Sequence, residues 1–137
     1  MAYSEDLKNS YDLFRVWLAG FVDGEGCFHI DIPTGPRLTL SQNGRRGEKI
    51  MEQIKLRYGG SIYVDGNDNW RYTAAAQQLR GLLPDILPHL RIKYQEALVT
   101  RQYLKLSRLP WGTRTGKVSR EPLVQREKLV EHLRSLR

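Results

Sequence analysis

Apolar residues near the start of the chain recur at helical intervals. Leu13, Phe14, Trp17, Leu18 and Phe21 form one stripe over Tyr11–Val22, the spacing of an amphipathic helix. Ser10 stands where an N-cap belongs, and Asp23-Gly24 where glycine would end the helix. Period two then takes over. Cys27–Ile32 alternates with Phe28, Ile30 and Ile32 on one side, and Arg37–Gln42 does the same with Leu38 and Leu40, across a Pro33-Thr34-Gly35-Pro36 turn. Such alternation predicts two strands of a sheet with one dry and one wet face.

A second cycle follows. Ile50, Met51 and Ile54 mark a helix over Glu48–Tyr58, stopped by Gly59-Gly60. Ser61–Val64 and Trp70–Ala74 make a second hairpin across Asp65-Gly66-Asn67-Asp68, with Ile62, Val64, Trp70 and Tyr72 inward. Helices are predicted over Gln77–Leu87, interrupted or ended near Pro84, and over Ile92–Ser107. Leu109–Arg120 reads as a basic loop with Gly and Pro, before an amphipathic helix over Glu121–Leu136 carrying Leu123, Leu129, Val130, Leu133 and Leu136. The order is α-β-β-α-β-β-α with two further helices, one α+β domain over residues 1–137.

Composition narrows the function. With 137 residues, 40% apolar and 27% charged, the chain has an ordinary globular composition. No apolar run approaches a membrane span, so no membrane partner is expected. The acid-containing start MAYSEDLKN lacks a signal pattern, which leads to the expectation of a soluble, intracellular protein. Cys27 is the only cysteine, which excludes a disulfide framework and a cysteine-based zinc site. The net charge is +7, and residues 101–137 hold 10 basic against 3 acidic residues while residues 1–100 balance at 12 each. That asymmetry points to a polyanion, most simply nucleic acid.

The chemistry lies at the end of the first helix, in Leu18–Gly26, LAGFVDGEG. By itself Asp-Gly-Glu-Gly reads as a turn. Here an apolar helix with small residues near its end carries the acids, and Gly24 and Gly26 leave room for a phosphate or metal. A carboxylate and a backbone carbonyl are hard oxygen ligands suited to Mg²⁺. One carboxylate is a poor metal site; two, from two subunits, are a better one.

This stretch resembles the LAGLIDADG motif of homing endonucleases, in its single-motif, homodimeric branch. Leu18-Ala19-Gly20, Asp23 and Gly26 are identical to it, Phe21-Val22 are conservative, Gly24 replaces a small alanine, and Glu25 stands at the metal-binding acid. The resemblance covers roughly residues 10–108 and implies the αββαββα fold, a four-stranded antiparallel, saddle-shaped sheet with helices on one face. It implies catalytic roles for Glu25, for Gln42, which would orient water, and for Lys93, in Pro88-His89-Leu90-Arg91-Ile92-Lys93, which would counter phosphorane charge. Glu25 and the Gly24 carbonyl would hold two or three Mg²⁺ ions shared across a homodimer. Val16, Ala19, Gly20 and Asp23 would lie at the dimer interface, Asp23 supporting the helix end or the junction.

The same resemblance implies double-stranded DNA as partner and a long pseudo-palindromic target cut on both strands. His29, Asp31, Arg37, Thr39, Ser41, Tyr63, Arg71 and Thr73 would line the DNA-facing sheet, and Arg45 and Arg46 would ring the scissile phosphates. Arg114 and Lys117, in the basic loop, would touch backbone phosphates. Two other readings stay open: an intron maturase binding intron RNA, and a DNA-binding regulator that does not cut.

Overall fold

The computed structural model describes residues 2–107 and 120–136. Arg114 and Lys117 lie outside the described residues. The elements are α1 (Ala2–Glu25), β1 (Cys27–Asp31), β2 (Gly35–Asn43), α2 (Gly44–Tyr58), β3 (Ser61–Val64), β4 (Asn69–Ala75) and α3 (Ala76–Ile86). A 3-10 turn (Leu87–His89), α4 (Tyr94–Ser107) and α5 (Arg120–Ser135) follow. The two α-β-β cycles are as the alternation predicts.

The sheet is antiparallel throughout, in the order β1-β2-β4-β3. Its register aligns Cys27, Thr39, Thr73 and Ser61 across all four strands, and Ser41, Arg71 and Tyr63 across three. Strand side chains alternate between faces, so these rows share the wet face. Phe28, Ile30, Leu38, Leu40, Tyr72 and Ala74 point the other way and are buried with Leu18, Val22, Met51, Ile54, Leu79 and Leu83. Val64 departs from the expectation of an inward residue: it is exposed, because β3 is the outer strand and Val64 is its last residue.

Polar side chains tie the helices together. The Tyr58 hydroxyl donates to Asp85 at 2.7 Å, and Arg15 pairs with the same carboxylate at 3.3 Å, so α1, α2 and α3 meet at Asp85. Tyr72 donates its hydroxyl to the Gly59 carbonyl at 2.7 Å, and burial pushes its phenol up to about 12.

Several boundaries differ from the sequence expectation. Helix α1 does not stop at Asp23-Gly24; the Gly26 amide donates to the Val22 carbonyl at 2.8 Å, carrying the helical bond pattern past Glu25. It also begins before Ser10, which is therefore no N-cap. Helix α2 begins at Gly44 rather than Glu48, since Gly44 adopts φ +76° and donates to Asp68 at 3.0 Å, turning the chain directly from strand to helix. Pro84 sits inside α3 without ending it.

Candidate functional site

Helix α1 delivers its acids to the point where the sheet begins. Glu25 is the last residue of the helix and is exposed. The chain then enters β1 through Gly26, where a Cβ would stand 2.7 Å from the Val22 carbonyl oxygen. Only glycine permits so close a return of backbone to the helix end.

The two acids have different roles. Asp23 is turned onto its own chain: its carboxylate accepts from the backbone amides of Arg91 at 2.9 Å, Ile92 at 3.1 Å and Lys93 at 2.9 Å. The loop between the 3-10 turn and α4 is thereby pinned to the tip of α1. Lys93 then reaches back, and its ammonium donates to the Gly26 carbonyl. So the lysine stands against the residue that follows Glu25, and the exposed carboxylate is left free of any described partner. Asp23, expected at a dimer interface, spends both oxygens within its own chain.

Gln42 is exposed near the end of β2, and its side-chain oxygen accepts from the Asn43 amide at 3.2 Å. No described hydrogen bond joins it to Glu25 or Lys93. Arg45 and Arg46 are exposed in the first turn of α2, two and three residues beyond Asn43, with no acid in that turn. On the wet face of the sheet Arg37 pairs with Asp31 at 3.3 Å. The Arg71 guanidinium stands 6.0 Å from the centre of the Tyr63 ring. His29, Thr39, Ser41 and Thr73 are half-buried on the same face.

Along α1, Leu13, Val16, Trp17, Gly20 and Gly24 are exposed, at intervals of three and four that make one stripe. The opposite phase, Leu18, Ala19 and Val22, is fully buried. Ala19 was expected at the dimer interface; it has no exposed surface and packs into its own core. Its neighbour Gly20 faces outward because one residue turns the helix by about a quarter of its circumference.

Three comparisons bear on this arrangement. A family model described as "LAGLIDADG endonuclease" matches residues 18–107. The chain belongs to the LAGLIDADG endonuclease family. No curated protein matches it significantly. Among solved structures, the LAGLIDADG fold here is similar to the homing endonuclease I-CvuI in complex with a DNA target, at TM-score 0.76 and 21% identity, over 93% of this chain and 84% of that one. It is also similar to the archaeal intron-encoded homing endonuclease I-Vdi141I complexed with DNA, at TM-score 0.72 and 18% identity, over 92% and 85%. The meganuclease I-SmaMI bound to DNA matches at TM-score 0.66 and 22% identity, over 87% of this chain but 44% of its own. These likenesses establish the α+β fold.

What the sequence reading missed is the tether from Asp23 to residues 91–93 and the exposure of Leu13 and Trp17 beside Val16 and Gly20. The first spans 68 to 70 residues and leaves no local signal. The second was available from helical phase. Among the described residues no helix is long and apolar enough to cross a membrane.

Proposed function

We propose that this LAGLIDADG endonuclease cuts both strands of a pseudo-palindromic DNA target as a metal-dependent homodimer. The observation that carries this is the exposed Glu25 carboxylate at the end of α1, with the Lys93 ammonium bonded to the carbonyl of the next residue, Gly26, where the chain enters the sheet.

Among the described residues no three acids, histidines or cysteines gather to hold a metal. One chain supplies Glu25 and, from a helix end whose last carbonyls lack helical partners, the Gly24 carbonyl. These are hard oxygen donors that fit Mg²⁺ but are too few to enclose it. Two copies joined along the exposed stripe of α1 would bring two such half-sites together, which supports a homodimer. I-SmaMI, matched over less than half its length, supports it as well. The similar endonuclease I-CvuI has been solved on DNA with 2 mM Mg, the DNA not cleaved, and with 2 mM Ca, which supports the use of a divalent cation here.

A bound divalent cation would lower the barrier to water attack on phosphorus and stabilise the leaving 3′ oxygen. Lys93, held by the Asp23 tether, adds positive charge where the phosphorane becomes more negative. Gln42 orients water, and Arg45 and Arg46 hold flanking phosphates through charge-assisted bonds. The wet face offers Arg37 and Arg71 for guanine, Thr39, Ser41 and Thr73 for either base type, and Asp31 for cytosine or for steadying Arg37.

The test is cleavage of a randomised plasmid library with Mg²⁺ by wild type and by Glu25→Gln. Wild type should yield double-strand cuts at one family of pseudo-palindromes. The variant should still bind those sites in Ca²⁺ and leave them intact. Binding without cutting by the wild type would reject the nuclease reading in favour of a regulator.

A further inference from the structure

We infer that Gly47, in the first turns of α2, is a positioning residue that sets the place of Gln42. The inference rests on the nuclease reading above and adds to it a buried residue that has no side chain of its own.

The helix α2 buries Gly47, Met51 and Ile54, one face at spacings of four and three. Met51 and Ile54 are fully buried in the core, so they fix where the helix lies. At Gly47 that face meets the end of β2. A Cβ there would stand 2.6 Å from the Gln42 carbonyl oxygen, 2.8 Å from its carbonyl carbon and 3.2 Å from its Cβ. The two nearest atoms are backbone, so no side-chain rotation relieves the overlap. With the helix held by the core, the strand end must move, and Gln42 with it.

The rest of this corner is built to hold one position. Gly44 takes φ +76° and donates to the Asp68 carbonyl at 3.0 Å. Gln42 lies across from Trp70 in the ladder, and the Trp70 indole donates to the Asp68 carboxylate at 3.2 Å. Displacing Gln42 therefore disturbs Asn43, Gly44 and Trp70 together. Gly81 is a useful contrast: it lies within α3, and a Cβ there meets nothing within 4 Å. On helix propensity alone alanine should be welcome at both positions.

The experiment uses the full chain and the target selected by the wild type from the randomised library. Single-turnover cutting is measured in Mg²⁺, DNA affinity in Ca²⁺, and the Asn43 and Gly44 amide and Trp70 indole resonances by NMR. Gly47→Ala should cut about 10- to 100-fold more slowly, the range for a catalytic group misplaced by about 1 Å, with unaltered affinity. Gln42→Ala should also slow cutting, and the double variant should be no slower than Gln42→Ala alone, because both changes act through one side chain. The corner resonances should move in Gly47→Ala and stay in place in Gly81→Ala, which should cut as the wild type does.

Should Gly47→Ala fail to fold, Gly44→Ala strains the same corner through its positive φ, where a Cβ meets nothing within 4 Å. It should give the same non-additive loss. Wild-type cutting rates in the folded glycine variants, losses that multiply with Gln42→Ala, or an unaffected rate in Gln42→Ala itself would each overturn the inference. A wild type that cuts no member of the library would reject the nuclease reading instead, and the NMR shifts would still report whether the corner moves.

Discussion

Replacing Asp23 by alanine removes acceptors from three backbone amides at once. Arg91 and Ile92 are exposed, so water replaces part of what is lost there, while Lys93 is half-buried. Taking about 1 kcal/mol for each exposed amide and about 1.5–3 kcal/mol for the third, the loss comes to ~4 kcal/mol. For a domain of this size that lowers the melting temperature by roughly 10–15 °C. Asp23→Asn keeps one oxygen for Ile92 and Lys93 but turns an amino group toward the Arg91 amide, so it should fall between alanine and wild type. Thermal unfolding followed by circular dichroism gives the stability. Single-turnover cutting at saturating DNA, below the melting range, gives the second readout: Lys93 loses its tether, so the rate should fall further than affinity in Ca²⁺. If Asp23→Ala melted within about 3 °C of wild type, a loss under about 1 kcal/mol, the tether would carry no weight. If that variant also sedimented as a monomer, Asp23 would belong to the dimer junction after all.

Three other outcomes follow from the same geometry. Val16→Glu places a charge in the exposed α1 stripe and should convert the proposed dimer to a monomer in sedimentation velocity, with loss of double-strand cutting; a dimer of unchanged size would place the interface elsewhere. Arg46→Ala should lower the slope of log affinity against log salt by about one, as for a single lost phosphate contact, while leaving the preferred target sequence unaltered. Tyr72→Phe should be less stable by about 1 kcal/mol near neutral pH, through the lost bond to Gly59. Burial pushes the folded phenol up to about 12 while the unfolded one keeps its ordinary value near 10.0, so the wild type loses stability as pH rises from about 10 to 12. That loss approaches about 3 kcal/mol above both values, and the phenylalanine variant should lack it in alkaline unfolding curves.

Strand alternation was the most legible part of the fold. Phe28, Ile30, Leu38, Leu40 and Tyr72 are buried as their parity requires, since a one-residue slip would send all of them to solvent. Helix ends were less legible because they depend on what the neighbouring backbone does. Asp23-Gly24 has the composition of a stop, yet the bond from Gly26 to Val22 keeps the helix going. The start of α2 was hidden because the turn at Gly44 is satisfied by Asp68, in a different hairpin. Within the site, the motif led to Glu25 from local sequence. The use of Asp23 as a tether was not readable, because its partners are backbone amides, which every non-proline residue has. Gly47 did carry a signal that went unused: it shares the helical face of Met51 and Ile54, so a residue without a side chain there implies something large or rigid opposite.

The sheet has two outer strands and deals with them differently. β3 is only four residues long, too short to template another chain's strand effectively. β1, on the other side, runs beside α5, where Val130 and Leu133 are buried and Arg134 shares a cleft with His29, Ile30 and Asp31. The last helix of the chain thus guards a strand made near its beginning. A chain cut short before residue 120 would lack that helix and leave the outer edge of β1 without its neighbour. The outer edge of an early strand therefore depends, in this fold, on residues that lie some ninety positions further along the sequence.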